Sequence, residues 1–415
     1  MTSRLSQRTA ALSGIALALT LALPAHATDM KLLDILLKNG SITQAQYDQL
    51  AKPDAAAPTA AAAPKSSNGL YTSDDGKTTV GGVGFIDLTT IEQKSDGKKV
   101  PPSGTGMDVK RFYLGVNHEF DSMWSANLTT DFTYSSSTKL TDVYVKKAFL
   151  QAKLSDAAVL RVGSADMPWV PYIESLYGYR YLENTLIDRL KFGTSADWGL
   201  HAGGKLADGM VNYGLSAVNG AGYKNPSRSK SMDFEGRIGF EPIKGLNLAA
   251  GFYRGELGQA VQNGAGTRTA SRWNLAAAYV DPLFRIGAEY FSAENWNTSN
   301  NNGVLTTCTA PPTCSSDKAD GYSLWGSVSP MEKVALFARY DSAKPNKTTA
   351  PSLKDAYYNL GVSYQARKNV DIALAYKHEK VDNGSIATAS TSSASIGGKS
   401  DGTFNEIGLW SQVKF

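Results

Sequence analysis

The chain has 415 residues, a formal net charge of +4, 42% hydrophobic and 19% charged residues, with 39 glycines and 20 tyrosines. After the first thirty residues no apolar run approaches the roughly 20 residues of a membrane-crossing helix, which excludes a helical membrane protein. The basic excess is too small for a nucleic-acid binder.

In chain order, Arg4 and Arg8, the apolar run Ala10 to Leu23 and the small-residue site Ala25-His26-Ala27 spell a secretory signal, residues 1–27, cut after Ala27. An uncleaved anchor is the alternative, against which the shortness of the run argues. Losing Arg4 and Arg8 takes two charges from +4 and leaves about +2. Residues 28–50 carry Met30, Leu33, Ile35, Leu36 and Leu37 at helical spacing, a stop at Asn39-Gly40, and Thr43 as cap of a second short helix. The expectation is a helical arm in the periplasm, either touching a partner or the cell wall, or without a role. Residues 51–76 form an Ala/Pro/Ser-rich linker with no hydrophobic period.

From Lys77 the period becomes two. Short turns of Asp/Asn/Gly/Pro/Ser chemistry are expected at 121–123, 155–158, 207–209, 243–245, 281–282, 329–332 and 367–369. Long polar connections are expected at 93–107, 135–141, 165–195, 220–232, 257–269, 297–317, 345–353 and 383–401. Seven short turns and eight long connections separate sixteen strands, and that asymmetry belongs to a transmembrane barrel rather than a soluble sandwich. In the third strand Trp124, Ala126, Leu128, Thr130, Phe132 and Tyr134 share one face, against Asn127 and Asp131. Trp273, Leu275, Ala277 and Tyr279 do so in the tenth, and Val334, Leu336, Ala338 and Tyr340 in the thirteenth. Aromatic residues near strand ends suit interfacial girdles. Residues 77–415 therefore read as an all-β, sixteen-stranded antiparallel transmembrane barrel.

The longest connection, 165–195, is the least polar, with Trp169, Tyr172, Ile173, Leu176, Tyr177, Tyr179, Tyr181, Leu182 and Leu186. A loop of this length and composition is expected to fold inward and to serve function. It carries Arg180, Arg189 and Lys191 beside the acids Glu174, Glu183 and Asp188. Assigning each strand's polar face to the lumen adds Arg161, Arg237, Arg285, Arg339 and Lys377 as inward bases nearer the short turns. Asp131, Asp233, Glu289, Asp341 and Glu379 are the inward acids nearer the long loops. A ring of one charge sign in a low-dielectric lumen concentrates counter-ions, and arginine matches phosphate or carboxylate with paired donors. These bases and loop acids are the expected constriction, with inorganic or organic anions as permeants. The alternative is that walls of mixed sign pair off and leave a general, cation-tolerant pore.

Cys308 and Cys314, flanking Pro311-Pro312, are expected to form a local disulfide in an exported protein; metal binding is the alternative, without a histidine or second cysteine pair nearby. No catalytic residue, metal or cofactor is assigned. An outer-membrane hydrolase is the enzymatic rival, but no GxSxG or HExxH occurs, and His118, His201 and His378 find no nucleophile by spacing. GGVG at 81–84 and NGAG at 263–266 open no helix and are not phosphate cradles. An adhesin barrel would leave an inward loop without purpose.

The final stretch GTFNEIGLWSQVKF puts Ile407, Leu409, Val413 and Phe415 on one face, with Glu406, Gly408, Trp410, Gln412 and Lys414 on the other. Its terminal Phe415 resembles the sorting signature of bacterial outer-membrane barrels. From Arg111-Phe112-Tyr113-Leu114-Gly115-Val116 through Ala148-Phe149-Leu150 and Val162-Gly163 to Pro168 or Pro171 and Tyr181-Leu182-Glu183, the chain resembles the phosphate-selective porin family, porin O and porin P. The segment LLDILLKNGSITQAQYDQL is similar to the N-terminal segment of many members. The resemblance implies a homotrimer of water-filled channels in the Gram-negative outer membrane, in contact with lipid and lipopolysaccharide. The mixed signs on the loop point to a mild anion preference rather than a dedicated phosphate site.

Overall fold

The computed structural model describes residues 70–135, 140–262, 268–296, 316–389 and 395–415, with 37–39, 43, 44 and 47 of the N-terminal arm. The signal segment 1–27, most of the arm, residues 51–69 of the linker, and Cys308 and Cys314 lie outside the described residues. Of the arm, Leu37, Lys38, Gln44 and Tyr47 are helical, and the Tyr47 amide donates to the Thr43 carbonyl at 2.9 Å.

Sixteen long strands follow: β1 Thr78–Ser95, β2 Lys98–Glu119, β3 Trp124–Ser135, β4 Leu140–Ser155, β5 Ala158–Asp166, β6 Ala196–Leu206, β7 Val211–Val218 and β8 Asp233–Phe240. The second half is β9 Leu246–Gly255, β10 Ala270–Val280, β11 Phe284–Glu294, β12 Lys318–Met331, β13 Val334–Lys344, β14 Lys354–Arg367, β15 Val370–Asp382 and β16 Asp401–Lys414. Every neighbour is antiparallel, and β16 pairs with β1 from Gly402↔Ser95 to Lys414↔Val83, so the sheet closes on itself. Closure leaves no unpaired edge, which is what allows strands to span lipid.

Strand alternation sorts the side chains. In β13 Leu336 and Tyr340 are exposed on the outer face while Phe337, Arg339 and Asp341 are buried inward. Trp273 and Leu275 of β10 face out, with Arg272 and Asn274 inward. In β16 Ile407 and Leu409 face out and Glu406 and Trp410 inward. The outer surface is thus an apolar band and the interior holds the charged groups.

Two boundaries differ from the sequence reading. The long connection expected at 93–107 is instead continuous hairpin, because Asp96 (φ 47°) and Gly97 (φ 75°) make a two-residue turn whose positive φ values match strand twist. Hydrogen-bonded structure also begins before Lys77. Tyr71 and Thr72 pair with Val80 and Thr79 of β1 around a turn in which the Ser73 amide donates to the Thr78 carbonyl at 2.9 Å.

Candidate constriction of the lumen

The segment between β5 and β6, 167–195, lies inside the barrel. It forms α1 Val170–Tyr177 and the single turn α2 Leu186–Arg189. Pro171 suits the first turn of α1, and Gly178 ends it in the left-handed conformation (φ 81°), its amide donating to the Glu174 carbonyl at 3.0 Å. The Arg285 guanidinium sits at that same end and donates to the carbonyls of Leu176 (3.2 Å) and Ser175 (3.4 Å). A cation there answers the negative end of the helix.

One side of the segment is glued to the wall built from β8 to β16. Val170, Ile173, Leu176, Tyr177, Leu186, Ile187 and Phe192 are buried in one cluster with Ala276, Ala278 and Phe291. Each such side chain contributes roughly 1.5–3 kcal/mol when fully buried. Polar ties accompany the packing. The Trp169 indole donates to Glu289 at 2.7 Å, and its backbone amide donates to Glu235 at 2.9 Å. Gly251 makes room for that ring, since a β-carbon there would stand 2.4 Å from the indole.

Arg189 is fully buried and reaches Asp355 (2.5 Å), Glu379 (2.8 Å) and Asp341 (3.0 Å). Arg339 donates to the Asn184 carbonyl at 2.5 Å and to both oxygens of Asp341. Lys377 lies between Glu406 (2.9 Å) and Glu183 (3.5 Å). Arg272, which sequence reasoning did not single out, pairs with Glu235 at 2.7 Å and donates to the Phe192 carbonyl. Three of the bases expected along an anion path, Arg189, Arg339 and Lys377, therefore sit beneath the segment in contact with carboxylates.

The other side of the segment faces β1 to β8 across open space. A middle chamber of about 600 Å³ is lined by Tyr113, Lys146, Lys147, Pro171 and Glu174 and extends to Thr79, Asn117 and Lys414 near the short-turn ends of β1, β2 and β16. Towards the long loops lies a chamber of about 470 Å³ with Lys191, Tyr223, Lys224, Tyr253 and Trp296. Towards the short turns lies one of about 1320 Å³ with Arg161, Tyr172, Tyr213 and Arg237. The segment contributes Arg180, which bonds Glu174 at 2.5 Å and lies 3.8 Å from Asp188. Arg237 donates to Asn212 (2.5 Å) and to the Pro168 carbonyl (2.9 Å), and Arg161 donates to Gln151 at 2.8 Å.

Four cations of the facing wall owe their direction to two register shifts. Between β1 and β2, Phe85 pairs with Arg111 and Ile86 with Val109, so Lys110 is the extra residue of a bulge. Between β3 and β4, Thr129 pairs with Lys147 and Thr130 with Val145, so Lys146 is extra. A bulge breaks the alternation of faces. In both places it turns two consecutive bases inward, between outward Val109 and Phe112 in β2 and after outward Val145 in β4. The Ser164 hydroxyl donates to the Lys146 carbonyl at 2.7 Å and helps fix the second bulge. Lys110 donates to the Leu182 carbonyl at 2.8 Å, Arg111 meets Asp131 at 3.3 Å, and Lys147 meets Asp166 at 2.6 Å. Lys146 instead rests on rings, 4.2 Å from the centre of Tyr113 and 5.9 Å from that of Tyr223. Lys224 lies 4.5 Å from the Tyr144 ring centre, and Arg237 is stacked 3.9 Å from that of Tyr172. The adjacent bases at 110–111 and 146–147 were the available sequence signal, but strict alternation assigns one of each pair to lipid.

On the segment itself, burial raises the Glu174 carboxyl above the usual range despite Arg180 beside it. Burial also opposes ionisation of Glu183, but the charges of Lys110 and Lys377 win and hold it down at about 2. Among the histidines, His201 faces inward with Nδ1 2.8 Å from the Ser216 hydroxyl, while His118 and His378 contact Thr78 and Asn405, each at 2.8 Å.

No protein-family model and no curated protein matches the chain. Solved structures do. An anion-selective porin from Comamonas acidovorans superposes with a TM-score of 0.61 at 12% identity, covering 81% of this chain and 99% of that one. OmpF of Salmonella typhi, in complex with daunomycin, gives 0.56 at 13% identity over 83% and 99%. The outer-membrane channel DcaP of Acinetobacter baumannii gives 0.55 at 13% over 83% and 99%. At these identities the likeness is one of fold: a closed sixteen-stranded barrel of the porin type.

Proposed function

We propose that the protein is an outer-membrane porin, a water-filled channel for passive diffusion of small hydrophilic solutes, with a mild preference for anions. It lies in the Gram-negative outer membrane as a homotrimer with lipid around it, the long loops outward and the N-terminal arm in the periplasm. The observation that carries the anion preference is how the interior cations are sorted. Arg189, Arg272 and Lys377 under the segment are matched by carboxylates, whereas Lys146, Lys224 and Arg237 on the open side are held on aromatic rings. A ring orders a cation without cancelling its charge. A carboxylate cancels it. The field left in the open half is therefore positive, and in a narrow low-dielectric passage it enriches anions.

Arg161, Arg180, Lys191, Arg237 and Arg285 remain the anion path in this reading, joined by Lys146 and Lys224. Glu174, Glu183 and Asp188 trim the field. Arg189, Arg339 and Lys377 act as anchors for the segment. The phosphate-selective family resemblance adds oxyanions to the permeants, without a dedicated phosphate site. Purified protein in a planar bilayer should give stepwise conductance, and a potassium chloride gradient should give a reversal potential on the chloride side. A reversal potential on the potassium side would overturn the anion preference; absence of conductance steps would overturn the channel.

A further inference from the structure

Each of the three chambers on the open side contains a cation within 6 Å of the centre of an aromatic ring. In the outer chamber Lys224 lies 5.9 Å from the Tyr223 ring centre, in the middle one Lys146 lies 4.2 Å from that of Tyr113, and in the inner one Arg237 lies 3.9 Å from that of Tyr172. Neighbouring stations share parts. Lys146 contacts both Tyr113 and Tyr223, and Pro171 of the middle chamber precedes Tyr172 of the inner one on α1. Further rings stand beside them, Tyr253 and Trp296 in the outer chamber and Tyr213 in the inner. Resting on its proposed function as an anion-preferring channel, we infer that this chain favours aromatic carboxylates, benzoate-like anions, over inorganic oxyanions and over saturated carboxylates of equal size.

The chemistry at each station is that of a two-part ligand. A carboxylate meets the ammonium or guanidinium by a charge-assisted hydrogen bond, and the attached ring meets tyrosine edge-to-face or offset. Inorganic phosphate uses only the first part. It is also best held by several converging donors, whereas Arg111 and Lys147 are already engaged with Asp131 and Asp166. Three stations on the open side suit permeation, because a solute held weakly at several sites can pass from one to the next. An aromatic contact of ordinary strength favours the ring over its saturated counterpart by roughly three- to tenfold.

The test uses the full-length channel in a planar bilayer and compares benzoate, cyclohexanecarboxylate, phosphate and chloride. Benzoate is expected to reduce the chloride current at a roughly three- to tenfold lower concentration than cyclohexanecarboxylate, and to do so better than phosphate. The double variant Tyr172→Leu/Tyr223→Leu removes two of the three station rings and should bring the benzoate advantage down towards parity, with Tyr113 holding what is left; an undiminished advantage would overturn the assignment to these rings. The corresponding Phe variants keep the rings and should keep the benzoate advantage. Parity in the unaltered protein, with chloride still preferred, overturns the aromatic inference and leaves the anion channel standing. Preference for potassium overturns both. Should the Leu variants not assemble, the unaltered protein with the saturated and aromatic acids decides alone.

Discussion

The Lys146 ammonium rests 4.2 Å from the centre of the Tyr113 ring, on a side chain that only a bulge in β4 turns into the lumen. Among the described residues it has no carboxylate within ion-pair distance, although the side chain is buried. Its charge is thus ordered but not cancelled, in the chamber between wall and inward segment. Lys146→Glu reverses that charge where Glu174 already lines the same chamber. The chloride-to-potassium permeability ratio should fall severalfold and the reversal potential should cross towards potassium. Lys146→Met should give an intermediate value. An unchanged reversal potential for both variants would remove Lys146 from the permeation path.

Arg189 makes the opposite case. Its guanidinium is enclosed with Asp341, Asp355 and Glu379, and its ring partner Tyr357 lies 4.6 Å away. Arg189→Met leaves several carboxylates facing one another in a dry site, and breaking a buried pair costs about 3–5 kcal/mol. The expected result is release of the 167–195 segment rather than a change of ion preference confined to the path: larger, noisier conductance steps and protease cleavage within the segment. Limited proteolysis of the detergent-solubilised variant checks this. A variant with the original conductance and a protected segment would show that the anchor is dispensable.

The barrel was legible because its signal is repeated. Sixteen alternating stretches separated by short and long connections survive any single error, and β3, β10 and β13 turn the expected faces outward. The hairpin of β1 and β2 was misjudged because Lys98 to Met107 lacks apolar alternation, so the local cue of Asp96-Gly97 was outweighed by polar composition. The candidate constriction was only half legible. Composition pointed to an inward segment, and parity found Arg237 and Arg285. Bulges are set by the register of a partner strand, so Lys110, Arg111, Lys146 and Lys147 could not be oriented from their own sequence. Likewise Arg189 was visible as a base, but its partners lie more than 150 residues away in β13 to β15.

Acid should separate the two glutamates of the segment. Burial raises Glu174, so it takes up a proton at a higher pH than an ordinary carboxyl. Protonation removes the nearer of the two carboxylates beside Arg180, leaving Asp188 at 3.8 Å, and the passage gains positive charge. Chloride preference should therefore rise as pH falls through that range, and Glu174→Gln should show the raised preference already at neutral pH. Because the folded-state value lies above the unfolded one, this group costs stability at neutral pH, and the cost shrinks on acidification. Glu183 has the other sign. Held at about 2 by Lys110 and Lys377 against the pull of burial, it contributes stability that is present above the ordinary glutamate value and is lost as pH falls towards 2. Reversal potentials from pH 7 down to 4, with and without Glu174→Gln, measure the first effect; a flat profile in both would show that the Glu174–Arg180 pair does not face the permeant.

The seam of the barrel makes the last prediction. The Phe415 amide donates to the Gly82 carbonyl at 3.0 Å, and the Gly82 amide donates to the Phe415 carbonyl at 2.7 Å. The Phe415 ring lies 5.4 Å from that of Phe112, whose own neighbour is Phe132 at 6.0 Å. Closing β16 on β1 is therefore completed by the final residue, through two backbone bonds and an aromatic contact. Gly82 is required for the fit, because a β-carbon there would stand 2.7 Å from the Phe415 ring and 2.3 Å from the Tyr113 carbonyl. Gly82→Ala should lower stability in detergent by about 1–3 kcal/mol, as overpacking does. Phe415→Ala removes the ring but keeps the backbone bonds and should cost about 1 kcal/mol through the lost aromatic contact. Combining the two should cost less than the sum, since part of the Gly82→Ala clash is with the ring that has been removed. Urea unfolding followed by tryptophan fluorescence and by the heat-dependent gel shift of a closed barrel measures all three. Additive costs would show that Gly82 and Phe415 do not act as one joint.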